Sequence, residues 1–282
     1  MTVPNDVLIQ EAVQALGLKD LGPIGAVGGQ KAVRLVDAAN GERQVLEVIA
    51  VDFATDEALK RAEREVSLLR SIANANVVLV TSELVELGNP PHGAAWVEEY
   101  LDGDDFGAIV GADPWSWDAT RSMGIDVCNG LAEAHKRSVI HRDLSANNIR
   151  RLGDGSYKVL DFGFARHTLL SGVTVAGQPG TPGFLSPEHL NSYSGGPMKM
   201  SDVFQVGNLM YRALTGVLPI PYAGDDFEYV ERVRRAAVTP LQTLRSDLSA
   251  NQAGVVMRAL HPQPARRFLD AAALRNALIG TP

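Results

Sequence analysis

Cysteine is nearly absent: of 282 residues only Cys128 carries a thiol. A single thiol excludes any disulfide within the chain and any cysteine-rich zinc site. Cys128 lies in an apolar helical run and reads as a small core residue. Long apolar stretches are missing too. No run approaches the roughly 20 residues that a membrane-spanning helix needs, and no signal or transit peptide is visible, so a cytoplasmic location is the default expectation. Basic excess is also lacking. With 26 Lys+Arg against 33 Asp+Glu the net charge is −7, which argues against a general nucleic-acid or anionic-membrane binder. Internal repeats and low-complexity linkers do not occur. What remains, 45% hydrophobic and 21% charged, is ordinary for a globular chain that buries a core in one domain or two joined lobes.

One stretch organises the rest: Ile140-His141-Arg142-Asp143-Leu144-Ser145-Ala146-Asn147-Asn148-Ile149. It sets a carboxylate and a carboxamide five positions apart in a loop between two apolar runs. Asp161-Phe162-Gly163 follows thirteen residues after Asn148. Two carboxylates and an amide so placed can hold Mg²⁺ and orient a hydroxyl toward a phosphate.

The elements around it follow from periodicity. Residues 6–18 carry Val7, Leu8, Ala12, Ala15 and Leu16 at helical spacing, stopped by Gly17. This predicts a short helix leaning on the body of the protein, with a partner-binding helix as the alternative. Ile24 to Val33 is a strand–turn–strand whose Gly25, Gly28 and Gly29 let backbone N–H groups approach a phosphate, a weak signal alone. Asn40-Gly41 marks a hairpin. In the strand Gln44–Val51, Val45 and Glu47 share a face. A helix is predicted over 55–73, capped by Thr55, with Glu65, Leu69 and Ile72 along one side. Strands are predicted at Val77–Val80 and Ala94–Leu101. After residue 102 helical patterns take over: Asp118–Lys136, with Met123, Val127, Leu131 and Ala134 or His135 facing inward, then 201–215, 225–238, 249–260 and 270–279.

Set on these elements, the motifs resemble those of eukaryotic-type Ser/Thr protein kinases, of the sort also found in bacteria, over residues 21 to 280. His141 to Asn148 is similar to the catalytic loop H-R-D-L-x-x-x-N, and Asp161-Phe162-Gly163 to D-F-G. Gly180-Thr181 through Ser186-Pro187-Glu188 resembles the end of the activation segment. Ser201-Asp202 to Gly207 resembles the helix that anchors the catalytic loop, and Leu214-Thr215-Gly216 its ending. Pro264-Ala265-Arg266-Arg267-Phe268 resembles the turn whose Arg pairs with the Pro-Glu glutamate, here Arg267 with Glu188.

The resemblance implies an α+β, bilobal fold. Residues 1–20 would be a helical extension, 21–101 an N-lobe of small antiparallel sheet with one main helix, and 102–282 a larger, mostly helical C-lobe, with the hinge at about 99–103. It implies Asp143 as the residue that orients the attacking hydroxyl, and Asn148 and Asp161 as Mg²⁺ ligands. ATP would be held by Gly25, Gly28, Gly29, Lys31, Val33, Val45, Glu65, Glu99, Leu101 and Asp161, and the acceptor would be a protein. His141 would pack rather than catalyse. Arg142 resembles the arginine that pairs with an activation-segment phosphate, for which Thr168, Ser171 and Thr174 are candidates. Neither the substrate's consensus nor the oligomeric state is encoded.

Four departures stand out. Glu47 occupies the place of the family's ATP-holding lysine, which inverts a charge next to a triphosphate; a single unit charge pair at 4 Å is worth roughly 4 kcal/mol at an effective dielectric near 20, so the swap is not neutral. Lys31, in the Gly-rich region, is similar to the relocated lysine of with-no-lysine kinases and is expected to pair with Glu65, Glu47 or a phosphate; the plain alternative is a solvated strand lysine. Ser145 replaces the catalytic-loop lysine. Arg150 lies where an apolar residue usually packs beneath adenine, either stacking on the base or turning to solvent. Glu98, ahead of the hinge, places a carboxylate at the back of the adenine pocket. Intact Asp143, Asn148, Asp161 and Glu65 favour an active kinase, and Glu47, Ser145 and Arg150 keep a nucleotide-binding pseudokinase as the alternative.

Overall fold

The computed structural model describes residues 6–24, 31–50, 56–162, 181, 183–190 and 196–282; within the helix at 56–70, the side chains of 56–59, 61, 62 and 65 lie outside that set. Gly25, Gly28, Gly29, Thr168, Ser171, Thr174 and the side chain of Glu65 therefore fall outside the described residues. Among the described residues, contacts divide the chain into two compact units. One takes residues up to Ala73 together with Val78–Leu101; the other takes Asn74–Val77 and the chain from Asp102 onward.

The first unit is an antiparallel five-stranded sheet with two helices. Its elements are α1 (Asp6–Ala15), β1 (Lys19–Pro23), β2 (Lys31–Asp37), β3 (Arg43–Ala50), α2 (Asp56–Arg70), β4 (Val85–Leu87) and β5 (Gly93–Glu99), in sheet order β1-β2-β3-β5-β4. Alternation along the strands sorts their side chains to two faces. Val36, Leu46, Val48, Ala50, Ala95 and Val97 form one apolar face, and Leu8, Ile9 and Ala12 of α1 pack into it. The Glu11 carboxylate accepts the Gly88 N–H at 2.8 Å, fixing the helix to the end of β4. α1 is thus part of the core, and Ile9 rather than Val7 completes its buried stripe; Val7 is exposed. The opposite face follows from register, since Val33 lies across from Glu47, Glu47 from Trp96, and Val45 from Glu98.

Two strand expectations need correction. Val77–Val80 is not a strand: Val77 forms a single bridge to Val159 and Val80 a single bridge to Glu98. The partner of β5 is instead β4, a three-residue strand too short to show a period. The second unit also carries strands that the helical patterns concealed. β6 (Gly103–Asp105), β7 (Ile149–Leu152) and β8 (Tyr157–Val159) form a small sheet in the order β6-β7-β8.

The second unit is otherwise helical: α3 (Phe106–Ile109), α4 (Trp117–Lys136), α5 (Lys199–Thr215), α6 (Asp226–Arg235), α7 (Leu241–Leu244), α8 (Ala250–Ala259) and α9 (Ala271–Ile279). Ser116 caps α4 by accepting the Ala119 N–H. Its buried stripe includes Met123, Val127, Leu131, Ala134 and His135. Gly130 on that helix has no room for a side chain, because a Cβ would lie 2.5 Å from the Asn76 carbonyl oxygen. α5 is buried on nearly every side, Ser201 to Tyr211 without a break, which is the pattern of a central helix. It ends at Gly216, in left-handed conformation at φ 76°.

One ion pair joins distant parts of this unit. Arg267 donates to both Glu188 oxygens, at 2.7 and 2.9 Å, and both side chains are fully buried. Ser201 also donates to Glu188, while Met200, His261 and Pro262 carbonyls take the remaining guanidinium protons. Burial raises the Glu188 carboxyl, yet the Arg267 and Ser201 hydrogen bonds outweigh it and hold the group below its usual range.

Two measurements test this packing. Leu8→Ala should cost roughly 2–5 kcal/mol in urea unfolding; an unchanged midpoint would remove α1 from the core. Arg267→Met should cost about 3–5 kcal/mol by leaving a buried carboxylate alone. Because the folded pKa of Glu188 is depressed, its contribution is present at neutral pH and lost as pH falls through the carboxylate range, so parent and variant should converge in acid.

Candidate active site

The loop from His141 to Asn148 is held by side chains from α4, α5 and the segment 183–190. The Asp202 carboxylate of α5 accepts three hydrogen bonds: His135 Nε2 at 2.8 Å, the His141 N–H at 2.9 Å and the Arg142 N–H at 3.0 Å. His135 Nδ1 accepts the Ala271 N–H, so its proton sits on Nε2 and points at Asp202. Burial raises the Asp202 carboxyl, but His135 first, and His141 after it, bring it below its usual value. Three residues further along α5, Gln205 accepts the Leu144 N–H at 3.2 Å and donates to the Arg142 carbonyl at 3.3 Å.

Arg142 carries the strain of the loop. Its φ is 68°, a left-handed value that costs a residue with a side chain on the order of 1–3 kcal/mol. Its N–H goes to Asp202, and its carbonyl takes Gln205 and, at 2.6 Å, His189 Nε2. With both main-chain groups held, the turn delivers Asp143 to a fixed place. Asp143 is buried, and its Oδ1 accepts both the N–H and the hydroxyl of Thr181, at 2.8 and 2.9 Å.

Asn148 lies in the single turn Ala146–Asn148. Its Nδ2 donates to the Asp143 carbonyl at 2.8 Å, and its N–H to the Ser145 carbonyl. The amide's orientation is therefore assigned, and its oxygen points away from that bond. Asp161 is brought near by a second set of ties. The Leu160 N–H donates to the Asn148 carbonyl, His141 Nε2 donates to the Leu160 carbonyl, and the His141 and Phe162 rings lie 4.8 Å apart. Asp161 itself has φ 46°, again left-handed. His141 thus packs and hydrogen-bonds. An amide oxygen and a carboxylate are hard donors that suit Mg²⁺.

The first unit carries a different set. Lys31 Nζ lies 2.7 Å from Glu47 Oε2, the two side chains being 21% and 7% exposed. They are diagonal across β2 and β3, on the face away from α1. Glu47 therefore has a cation beside it. The Trp96 indole N–H donates to Glu98 at 3.0 Å, so that carboxylate is turned along its own strand. Val33 and Val45 sit on the same face as Glu47. Glu99 exchanges hydrogen bonds with Leu79: its N–H goes to the Leu79 carbonyl, and its carboxylate accepts the Leu79 N–H. Leu101 is buried.

Arg150 does not turn to solvent. Its guanidinium meets Asp105 at 3.0 Å, its register partner across β6 and β7, and donates to the Gly103 carbonyl. Sequence reasoning missed that pairing because β6 has three residues. It also missed His189 and Gln205, which touch the loop only through backbone atoms.

Burial holds His189 below the usual 6.5, against the upward pull of the Arg142 carbonyl and of Glu188, Asp202 and Asp143. A folded-state pKa below the unfolded one means that the unfolded chain takes up the proton first. Stability is then full above about pH 6.5 and falls as pH drops below it. Thermal melting between pH 7.5 and 5 should show that decline, and His189→Gln should flatten it; equal slopes in both would exclude this source.

Among the described residues no helix is long and apolar enough to cross a membrane. Comparison with known proteins agrees with the geometry. A family model described as protein kinase domain matches residues 18–278. The chain is 31% identical over 263 residues to the serine/threonine-protein kinase Pkn1 of Myxococcus xanthus, covering 89% of this chain and 36% of that protein. It is 30% identical over 268 residues to serine/threonine-protein kinase PknB of Mycobacterium tuberculosis, covering 92% of this chain and 42% of that one. The chain therefore spans about two fifths of the length of these relatives. The crystal structure of the Mycobacterium tuberculosis PknI kinase domain superposes with a TM-score of 0.70 at 20% identity, covering 94% of this chain and 95% of that one, which shows the shared fold. With a match that runs from the first strand of the sheet to the last helix, this chain belongs to the protein kinase domain family.

Proposed function

We propose that this chain is an ATP- and Mg²⁺-dependent protein kinase that phosphorylates Ser or Thr hydroxyls of a protein, itself included. The observation that carries the reading is the seat of Asp143. Its carboxylate is buried and aligned by two donors from Thr181, and the preceding peptide is held by Asp202, Gln205 and His189. A carboxylate so fixed can accept the proton of a hydroxyl and aim its oxygen at phosphorus. Asn148 and Asp161 would hold Mg²⁺, which supplies charge neutralisation at the phosphates.

On this reading residues 21–101 form the N-lobe, 102–282 the C-lobe, and 1–20 an N-terminal extension whose helix α1 packs on the sheet that β1 opens at Lys19. Gly25, Gly28, Gly29, Val33, Val45, Glu65, Glu99 and Leu101 would serve the nucleotide, Glu99 through its carbonyl since its N–H is given to Leu79. Lys31 would supply the cation that Glu47 displaced. The pair at 2.7 Å supports this, because it keeps the ammonium on the β3 face and cancels the inverted charge. Ser145, buried at 2%, offers no cation, so on this reading positive charge for the phosphates would have to come from Lys31 and Mg²⁺.

The test is incubation of the chain with Mg²⁺ and labelled ATP. Parent protein should label itself. Asp143→Ala should abolish labelling while still binding ATP. Lys31→Ala should lower kcat/KM by about 10²-fold, and Lys31→Ala with Glu47→Lys should recover part of it. ATP binding without transfer in the parent would make the chain a nucleotide-binding pseudokinase. Full activity in Lys31→Ala would end the relocation idea alone.

A further inference from the structure

His189 is buried and both of its ring nitrogens are engaged. Nδ1 faces two donors from Ser186, its N–H at 3.1 Å and its hydroxyl at 2.7 Å. A backbone N–H only donates, so Nδ1 carries no proton and Nε2 must carry it. That proton is given to the Arg142 carbonyl at 2.6 Å. The ring is neutral, its tautomer is set by Ser186, and its hydrogen bond runs from the segment 183–190 into the catalytic loop.

The receiving carbonyl belongs to the strained residue just before Asp143. Gln205 also reaches it, but at 3.3 Å. Gln205 stands on α5, whereas His189 stands on the segment 183–190, which is seated by separate ties. The Gly183 N–H donates to the Tyr229 hydroxyl at 2.8 Å, and Glu188 pairs with Arg267. Just upstream, Thr181 grips the Asp143 carboxylate itself. The stretch therefore touches Asp143 at two levels, the side chain through Thr181 and the preceding peptide through His189.

We infer that His189 is a positioning residue for phosphoryl transfer: it fixes the Arg142 carbonyl, and through it the aim of Asp143, only while Ser186 and the segment around it are seated. The catalytic geometry is thereby made conditional on the seat of residues 183–190. This rests on the reading of Asp143 as the residue that accepts the substrate hydroxyl.

The experiment compares parent, His189→Leu, His189→Gln and Ser186→Ala in the full chain. The readouts are self-labelling with Mg²⁺ and ATP, the KM for ATP, and the folded fraction by near-ultraviolet circular dichroism. His189→Leu should lose roughly 10- to 100-fold in kcat, the scale of a small misplacement of a catalytic group, with KM for ATP unchanged. His189→Gln should recover most of it, because its amide can donate to Arg142 and accept from Ser186. Ser186→Ala, which removes the hydroxyl donor at 2.7 Å and leaves only the backbone N–H at 3.1 Å to hold the ring, should lose several-fold in kcat, and it decides the matter if His189→Leu does not fold. An active parent with parental kcat in His189→Leu, or in Ser186→Ala where the His189→Leu variant is unfolded, overturns the inference alone. So does a Gln variant as impaired as the Leu variant. A parent that binds ATP and transfers nothing overturns the reading of Asp143, and the inference with it.

Discussion

The buried carboxylate of Asp202 is the contact on which the rest of the site depends. A charged group removed from water must be compensated by hydrogen bonds, and this one takes three, two of them from the backbone of the catalytic loop. The arrangement works in both directions. The loop satisfies a carboxylate that the central helix could not otherwise bury, and the carboxylate forces His141 and Arg142 into a turn that neither would adopt alone. Asp143 inherits its place from that mutual dependence. The Glu188–Arg267 pair extends the same logic to the segment 183–190, where a second buried acid is held by a guanidinium whose remaining protons go to carbonyls. The helix holds the loop through Asp202 and the end of the segment through the Ser201 hydroxyl.

The first unit handles charge differently. Its sheet has an apolar face closed by α1 and a second face bearing Lys31, Glu47, Trp96 and Glu98. Each acid on that face has a donor beside it, Lys31 for Glu47 and the Trp96 indole for Glu98. Glu47 on β3 is thus no bare negative charge but half of a pair, diagonal across two strands, whose cation comes from β2.

Much of this was legible in the residues. Long helices with a clear stripe, such as Trp117–Lys136, were visible within a residue or two of their bounds, because a 3.6-residue period repeated over twenty positions is hard to mistake. The motif residues were legible because they are polar and closely spaced. Short strands were not. β4, β6 and β8 have three residues each, too few for alternation to register, and their partners lie far along the chain or follow a tight turn. Arg150 stayed ambiguous for that reason: its place after the catalytic loop was plain, but not that β6 would set Asp105 opposite it. His189 and Gln205 stayed hidden because they bind backbone atoms, and backbone partners leave no signature in side-chain identity.

The tie between His135 and Ala271 spans 136 positions. His135 needs the Ala271 amide to settle which nitrogen holds its proton, Asp202 needs that proton, and the loop at 141–142 needs Asp202. During synthesis the loop emerges long before α9 does. Until then Asp202, Gln205 and His189 can reach the loop, but the His135 ring lacks the amide that keeps its proton on the nitrogen facing Asp202. A chain halted before α9 would therefore carry every motif and every direct partner of the loop, and lack only the distant amide that turns the His135 proton toward Asp202.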